Sequence, residues 1–255
     1  MLAPRLGLPA TAVIVTGGAS GIGLATAHAL AAVGRRVAIW DVDKEGGITA
    51  AAHIRETWGV PALAQEIDLL DLMSIGPAAD TTRATLGPIG GLVHSAGTAQ
   101  PTGLDGLTEA AWTRGIDLHV RALAFTAKAL RSEMRMAGGS AIVAVASINA
   151  HLGNGLIPIY TAAKGAILSL VRALADELAA DGIRVNSVSP GMIDTPMLAS
   201  DRDAMAERFG KRILLGRLGQ ADEVARTIRF LLSEEASYVT GAELVVDGGN
   251  ICSQR

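Results

Sequence analysis

The chain has 255 residues, 49% hydrophobic and 18% charged, and a net charge of −3, with no lysine run or basic stripe to mark a nucleic-acid partner. Its length is ample for a buried core, and a charged fraction below the roughly 25% usual for soluble domains points to surface buried between subunits. One cysteine, Cys252, excludes an internal disulfide and a thiol-based metal cluster and fits a reducing compartment.

The first residues, punctuated by Pro4 and Pro9, lack the apolar run of a signal peptide. No uninterrupted apolar stretch of about 18 residues follows, so no membrane span is expected and the expected location is the cytoplasm. Seven short apolar runs then alternate with longer alanine- and leucine-rich segments: Ala10 to Thr16, Arg35 to Asp41, Ala62 to Asp68, Gly91 to Gly97, Ser140 to Ser147, Ile183 to Pro190 and Ala242 to Gly248. Most are continuously apolar in the middle, as strands covered on both faces are. Strand–helix alternation implies crossover connections, hence an α/β, doubly wound parallel sheet of about seven strands in the order 3-2-1-4-5-6-7. No linker or repeat breaks the rhythm, so residues 1–255 are expected to form one domain.

The first strand runs into Thr16-Gly17-Gly18-Ala19-Ser20-Gly21-Ile22-Gly23 and then a helix. Glycine tolerates the positive φ of a tight turn, and missing side chains let a pyrophosphate approach the backbone. The helix N-terminus adds free N–H groups and partial positive charge. The spacing, Gly-x-x-x-Gly-x-Gly, differs from the usual dinucleotide fingerprint. A sharp turn without a ligand is the alternative; the strand before and the helix after favour the dinucleotide. Asp41 closes the second strand, 18 residues past Gly23. A carboxylate there accepts hydrogen bonds from ribose hydroxyls and repels a 2′-phosphate, favouring NAD over NADP. It is otherwise a loop carboxylate or a helix cap, though Asp43 is the better placed cap. Arg35 and Arg36, which would suit NADP, come too early.

Tyr160 and Lys164 stand four residues apart and so share a helix face. An ammonium beside a phenol favours the phenolate, readying it as a base. Ser147 ends the fifth strand, 13 residues upstream, at the edge where open α/β sheets bind ligands, and its hydroxyl can hydrogen-bond a substrate oxygen. Alone, such a Tyr/Lys pair is more often a solvated surface pair; the glycine turn and Ser147 at matching strand ends reverse that.

The chain resembles the short-chain dehydrogenases/reductases along nearly its whole length. The resemblance rests on TGGASGIG, the Ser147–Tyr160–Lys164 set, SPGMIDT (Ser189 to Thr195), GRLGQADEVA (Gly216 to Ala225) and YVTGAELVVDGG (Tyr238 to Gly249), in order and at family spacing. It implies that Tyr160 is the general acid/base, that Lys164 lowers the Tyr160 pKa and binds the nicotinamide ribose, and that Ser147 orients the substrate oxygen. It places Gly17, Ser20, Gly21, Ile22 and Gly23 at the phosphates and Asp68 and Leu69 at the adenine. It also makes Ser95, Ala96 and Gly97, at the end of the fourth strand, cofactor-binding, and places Pro190, Gly191, Ile193 and Thr195 at the nicotinamide end. It also implies a homotetramer in which the helices near Thr108–Ala137 and Ile157–Ala180 form one interface.

Two departures stand out. His94-Ser95-Ala96-Gly97 replaces the family's Asn-Asn-Ala-Gly, and His119 stands where an asparagine commonly holds a relay water. His119 either joins the proton relay or only packs in its helix. Asn149, Leu152, Met192 and Leu198 are candidate substrate-binding residues, with His151 a bystander or a wall. Residues 192–214 resemble a lid, whose Met192, Met197, Leu198, Met205 and Phe209 point to an apolar or mixed substrate or are core contacts of short helices. The expected activity is NAD(H)-dependent interconversion of a small-molecule secondary alcohol and a ketone. A 3-oxoacyl-carrier reductase and a non-catalytic dinucleotide sensor or scaffold are the alternatives.

Overall fold

The computed structural model describes residues 5–201, 210 and 212–252. Strands β1 (Ala12–Thr16), β2 (Val37–Asp41), β3 (Ala62–Glu66), β4 (Ile89–His94), β5 (Ala141–Val145) and β6 (Arg184–Pro190) alternate with helices α1 (Gly21–Ala31), α2 (Lys44–Trp58), α3 (Leu72–Leu86), α4 (Glu109–Ile116), α5 (Ala122–Ala137) and α6 (Pro158–Leu178). After β6 come two-residue strands β7 (Ile193–Asp194) and β8 (Gly219–Gln220), helix α7 (Ala221–Leu232) and strand β9 (Glu243–Val246). The main sheet has seven parallel strands in the order β3-β2-β1-β4-β5-β6-β9, the expected order with β9 as the outermost strand. The β7–β8 pair forms a second small sheet, and two residues are too few to show a period in sequence.

Alternation along the strands divides the core in two. Ile14, Trp40, Leu92 and Ile142 pack with Leu123, Leu130, Ile167 and Val171 on the face of α3, α5 and α6. Val13, Val15, Ile39 and Val143 pack with Leu30, Ile54, Ile228 and Leu231 on the face of α1, α2 and α7. Both faces being covered is why the strands read as apolar runs. Local chemistry sets the helix starts. Asp43 caps α2 by accepting from Gly46 N, Asp71 caps α3 through Met73 N, and Thr108 caps α4 through Ala111 N. Pro158 occupies the first turn of α6, where its missing N–H leaves no bond unmade.

The strand ends differ from the sequence expectation in instructive ways. Ser95 N and Ala96 N both donate to Thr16 Oγ1, so the chain leaves β4 at His94 instead of continuing to Gly97. Ser147 lies two residues beyond β5, still extended (φ −171°, ψ 157°), and caps the short 3₁₀ turn Ile148–Ala150. Arg35 and Arg36 precede β2 at the opposite edge of the sheet. Arg35 is fully buried and donates to Thr11 O, Thr11 Oγ1 and Leu232 O; Arg36 donates to Ala10 O. Burial pushes the Arg35 guanidinium down to about 10. Met205 and Phe209 lie outside the described residues. Among the described residues no helix is long and apolar enough to cross a membrane, and no group of three or more His, Cys, Asp or Glu is placed to hold a metal.

Leu130, 1% exposed on α5, tests the packing of the larger cluster. Leu130→Ala is expected to cost about 2–5 kcal/mol in denaturant unfolding, against less than about 0.5 kcal/mol for Met73→Ala at a position 83% exposed.

Candidate active site

The site lies along the edge formed by the carboxyl ends of β1, β2, β4, β5 and β6, with Thr16 paired to both Trp40 and His94 in the ladder. At its centre the chain turns tightly from β1 into α1. Gly17 has φ +64°, and a Cβ there would meet Ala96 Cα at 2.8 Å. A Cβ on Gly23 would fall 2.0 Å from Gly17 O, so no side chain fits at either position. Gly21, at φ +51°, faces Thr195, whose Cβ lies 3.6 Å from where a methyl would stand. Ser20 is the N-cap of α1 but makes no side-chain cap, which leaves the N–H groups of Gly21, Ile22 and Gly23 free of a capping side chain. Bare backbone and an uncapped helix N-terminus fit a pyrophosphate.

Asp41 ends β2 as expected and also braces this turn. Its Oδ2 accepts from Ala19 N at 2.9 Å and its Oδ1 from Asp43 N at 3.0 Å. Asp68, exposed beyond β3, accepts from Leu70 N at 2.9 Å, and Leu69 beside it is buried. On the other side of the turn, Gly191 N donates to Val246 O and a Cβ on Gly191 would meet Asp247 Cβ at 2.7 Å. That contact presses Pro190 and Gly191 onto the start of the last glycine turn. Ile193 is buried in β7, and Thr195 Oγ1 donates to Ile193 O at 3.4 Å.

Tyr160 and Lys164 share a face of α6, with Lys164 Nζ 5.3 Å from the centre of the phenol ring. Lys164 is 4% exposed and donates to Val145 O at 2.6 Å. Burial pushes its ammonium down to about 7. Tyr160 departs from the expectation of a lowered phenol. Burial raises its pKa, and the hydrogen bond with Ser147 only partly opposes this. The reason is geometric: the ammonium lies over the ring and is turned to a backbone carbonyl. Ser147, 6% exposed, meets the phenol while its Oγ also accepts from Asn149 N at 3.2 Å.

The two histidines that depart from the family pattern are close neighbours of this set. His119 lies in a π-helical turn, Asp117–Arg121, between α4 and α5. Its ring stands edge-on to Tyr160, with centroids 5.6 Å apart and an interplanar angle of 83°. Its Nε2 contacts Thr98 O at 3.0 Å and Thr98 N at 3.3 Å, and its buried Nδ1 has no hydrogen-bond partner. Gly97 makes room for this ring, since a Cβ there would fall 2.2 Å from His119 Cε1. Burial, then the Lys164 charge, pushes His119 down to about 3; the same causes bring His94 to about 4. Both imidazoles are neutral at pH 7. His94 contacts Thr16 Oγ1 through Nδ1 at 3.3 Å. A cavity of about 20 Å³ beside His119 and Tyr160, lined also by Thr98, Gln100 and Arg114, has room for one water.

Asn149, Leu152, Met192 and Leu198 divide between two segments, one after Ser147 and one after Pro190. Leu152 is 41% exposed, and Met192 O accepts from Gly219 N at 3.0 Å, closing the small β7–β8 sheet. Sequence reasoning missed Thr16, whose hydroxyl serves His94, Ser95 and Ala96 together, and Val145, whose carbonyl anchors Lys164. A hydroxyl directly before the glycine turn was the available signal for Thr16; a backbone acceptor leaves none.

Such a sheet edge, with a bare glycine turn at one strand end and a buried lysine beside a half-buried tyrosine at another, belongs to dinucleotide-dependent α/β oxidoreductases. A family profile described as enoyl-(acyl carrier protein) reductase matches residues 17–250. The chain is 41% identical to cis-4-hydroxycyclohexanecarboxylate dehydrogenase of Sinomonas cyclohexanicum, over 92% of this chain and 94% of that protein. It is 38% identical to cyclopentanol dehydrogenase of a Comamonas species, over 93% and 95%. L-sorbose reductase from Gluconobacter frateurii, solved with NADPH and L-sorbose, superposes with a TM-score of 0.92 at 29% identity, covering 97% and 99%. The chain therefore belongs to the short-chain dehydrogenase/reductase family, oxidoreductases of CH–OH groups that bind a nicotinamide dinucleotide.

The Lys164 burial gives a stability signature. The unfolded chain holds this proton up to about 10.5 and the folded chain only to about 7, so the burial cost is carried in full below pH 7 and relieved as pH rises through that window. Lys164→Met should remove it. Measured by denaturant midpoint, the variant's advantage over the parent shrinks steadily between pH 7 and pH 10.

Proposed function

We propose that the protein is an NAD(H)-dependent dehydrogenase interconverting a secondary alcohol and a ketone, with small alicyclic alcohols as the leading substrate class. The observation that carries this reading is the meeting of Ser147, Tyr160 and Lys164 at one sheet edge beside the glycine turn. The bound nicotinamide supplies the hydride acceptor. Gly17, Ser20, Gly21, Ile22 and Gly23 would hold its phosphates, with Asp41 at the adenine ribose and Asp68 and Leu69 at the adenine. Ser95, Ala96, Gly97, Pro190, Gly191, Ile193 and Thr195 would line the rest of the cofactor path. Ser147 orients the alcohol oxygen, Tyr160 takes its proton as hydride leaves the carbinol carbon, and Lys164, held by Val145 O, would bind the nicotinamide ribose. His119, being neutral, serves by holding the Tyr160 ring and the neighbouring water-sized cavity rather than by carrying charge. Asn149, Leu152, Met192 and Leu198 flank the substrate, and their mixed, largely aliphatic character together with the cyclic alcohols in two relatives' names supports the alicyclic class.

NAD is favoured over NADP by Asp41 and by the absence of a cation at Ala19, Ser20 and Val42. Arg35 and Arg36 are occupied at the far edge of the sheet. We also propose a homotetramer in the cytoplasm: Trp112 on α4 and Phe125 on α5 are each 44% exposed, apolar surface that an interface would cover. The lone Cys252 suits a reducing compartment. A 3-oxoacyl reductase acting on a carrier or CoA thioester is the second reading, favoured by relatives named acetoacetyl-CoA reductase and 3-oxoacyl-(acyl-carrier-protein) reductase; acetoacetyl-CoA reduction with NADPH outpacing every alcohol would establish it.

The test is NADH formation from a panel of cyclic and acyclic secondary alcohols with NAD and NADP side by side. Tyr160→Phe is expected to lose about 10²–10⁴ in kcat; full activity in that variant, or NAD binding without turnover of any substrate, sinks the reading. Because burial raises the Tyr160 pKa, alcohol oxidation, which needs the phenolate, should still be climbing at pH 9, while ketone reduction, which needs the phenol, should not. Asp41→Ser should narrow the NAD-over-NADP ratio in kcat/KM by about tenfold or more. Light scattering that finds only monomer would overturn the assembly.

A further inference from the structure

Ser189, Glu243 and His151 form a cluster that the reaction does not use. Glu243 opens β9 opposite Ser187 in the ladder. Its Oε1 accepts from Ser189 Oγ and lies 2.7 Å from His151 Nε2. Ser189 is fully buried, and the side chains of Glu243 and His151 are 24% and 39% exposed. One carboxylate oxygen thus joins two segments that leave the sheet at neighbouring strand ends.

His151 belongs to the turn that follows Ser147. That turn is closed by Ala150 N to Ser147 O and His151 N to Ile148 O, each 2.9 Å, and by Leu152 N to Ile148 O at 3.1 Å. Ser189 immediately precedes Pro190 and Gly191. Beyond His151 the chain is exposed at Leu152 and Gly153. Among the described residues, His151 supplies the side-chain hydrogen bond that joins residues 148–153 to the sheet. Short hydrogen bonds with an ionised partner are about twice as strong as neutral ones, and partial burial limits their screening by salt.

We propose that Glu243 is a positioning residue: through His151 and Ser189 it holds the turn after Ser147 against the Pro190 end of β6 and so sets the width of the substrate pocket between them. This rests on the reading of Ser147 as the group that orients the substrate oxygen. The latch acts on where Leu152 and the turn around it stand, while Ser147 stays held by the chain leaving β5, where Ala146 N donates to Val188 O, and by its bond to Tyr160. Its loss therefore weakens substrate binding more than the chemical step.

The experiment compares His151→Ala, which removes the donor, with His151→Gln, which keeps an N–H at similar reach, and with Glu243→Ala. Hydrogen exchange of the 148–153 amides and steady-state kinetics are measured on the full chain. In His151→Ala and Glu243→Ala those amides should exchange about fivefold faster or more, and the alcohol KM should rise about five- to tenfold with kcat and the NAD KM within about twofold. The double variant should be no worse than Glu243→Ala alone, because that substitution already removes the His151 link together with the Ser189 one. His151→Gln should stay within about twofold of the parent throughout. Unchanged exchange in His151→Ala, or a His151→Gln variant as impaired as His151→Ala, overturns the proposal. Exchange is read without turnover, so a failure of the dehydrogenase reading, seen as full activity in Tyr160→Phe, is distinguishable from a failure of the latch.

Discussion

The hydrogen bond from the Lys164 ammonium to the Val145 carbonyl is the constraint around which the site is arranged. It joins the last residue of a central strand to the second turn of α6, and with it fixes the distance between Ser147 and Tyr160. An ammonium shut away from water holds its charge poorly, and burial alone brings Lys164 to about 7. Burial first, and this charge second, keeps protons off the nearby imidazoles of His94 and His119.

The sheet was open to reading because both its faces are covered. Strands such as Ala12–Thr16 and Ala141–Val145 are apolar throughout, and their count and order follow from uninterrupted strand–helix alternation. Strand ends were less legible. β4 stops at His94 because a hydroxyl on a different strand captures the next two N–H groups, an interaction between residues about 80 positions apart that no local pattern encodes. Tyr160 and Lys164 could be placed on one face from their spacing. The direction of the Tyr160 shift could not, because it depends on how deeply the phenol is buried and on where the ammonium turns.

Asp41 illustrates a residue whose sequence reading was sound in position and incomplete in role. It stands at the end of β2 as expected. Both its oxygens are engaged by backbone N–H groups of the glycine turn and the following helix start. The proposed ribose contact and the brace of the glycine turn would therefore share one carboxylate. His119 is the converse: its position in the chain marked it as unusual, and its burial, edge-on contact with Tyr160 and π-helical setting define it as a neutral wedge.

The close approach of the His119 ring to Gly97 imposes an order on how these two positions can change. With the imidazole in place, even one methyl at residue 97 would overlap Cε1. A smaller group at 119 clears that space first, and only then does 97 become free to vary.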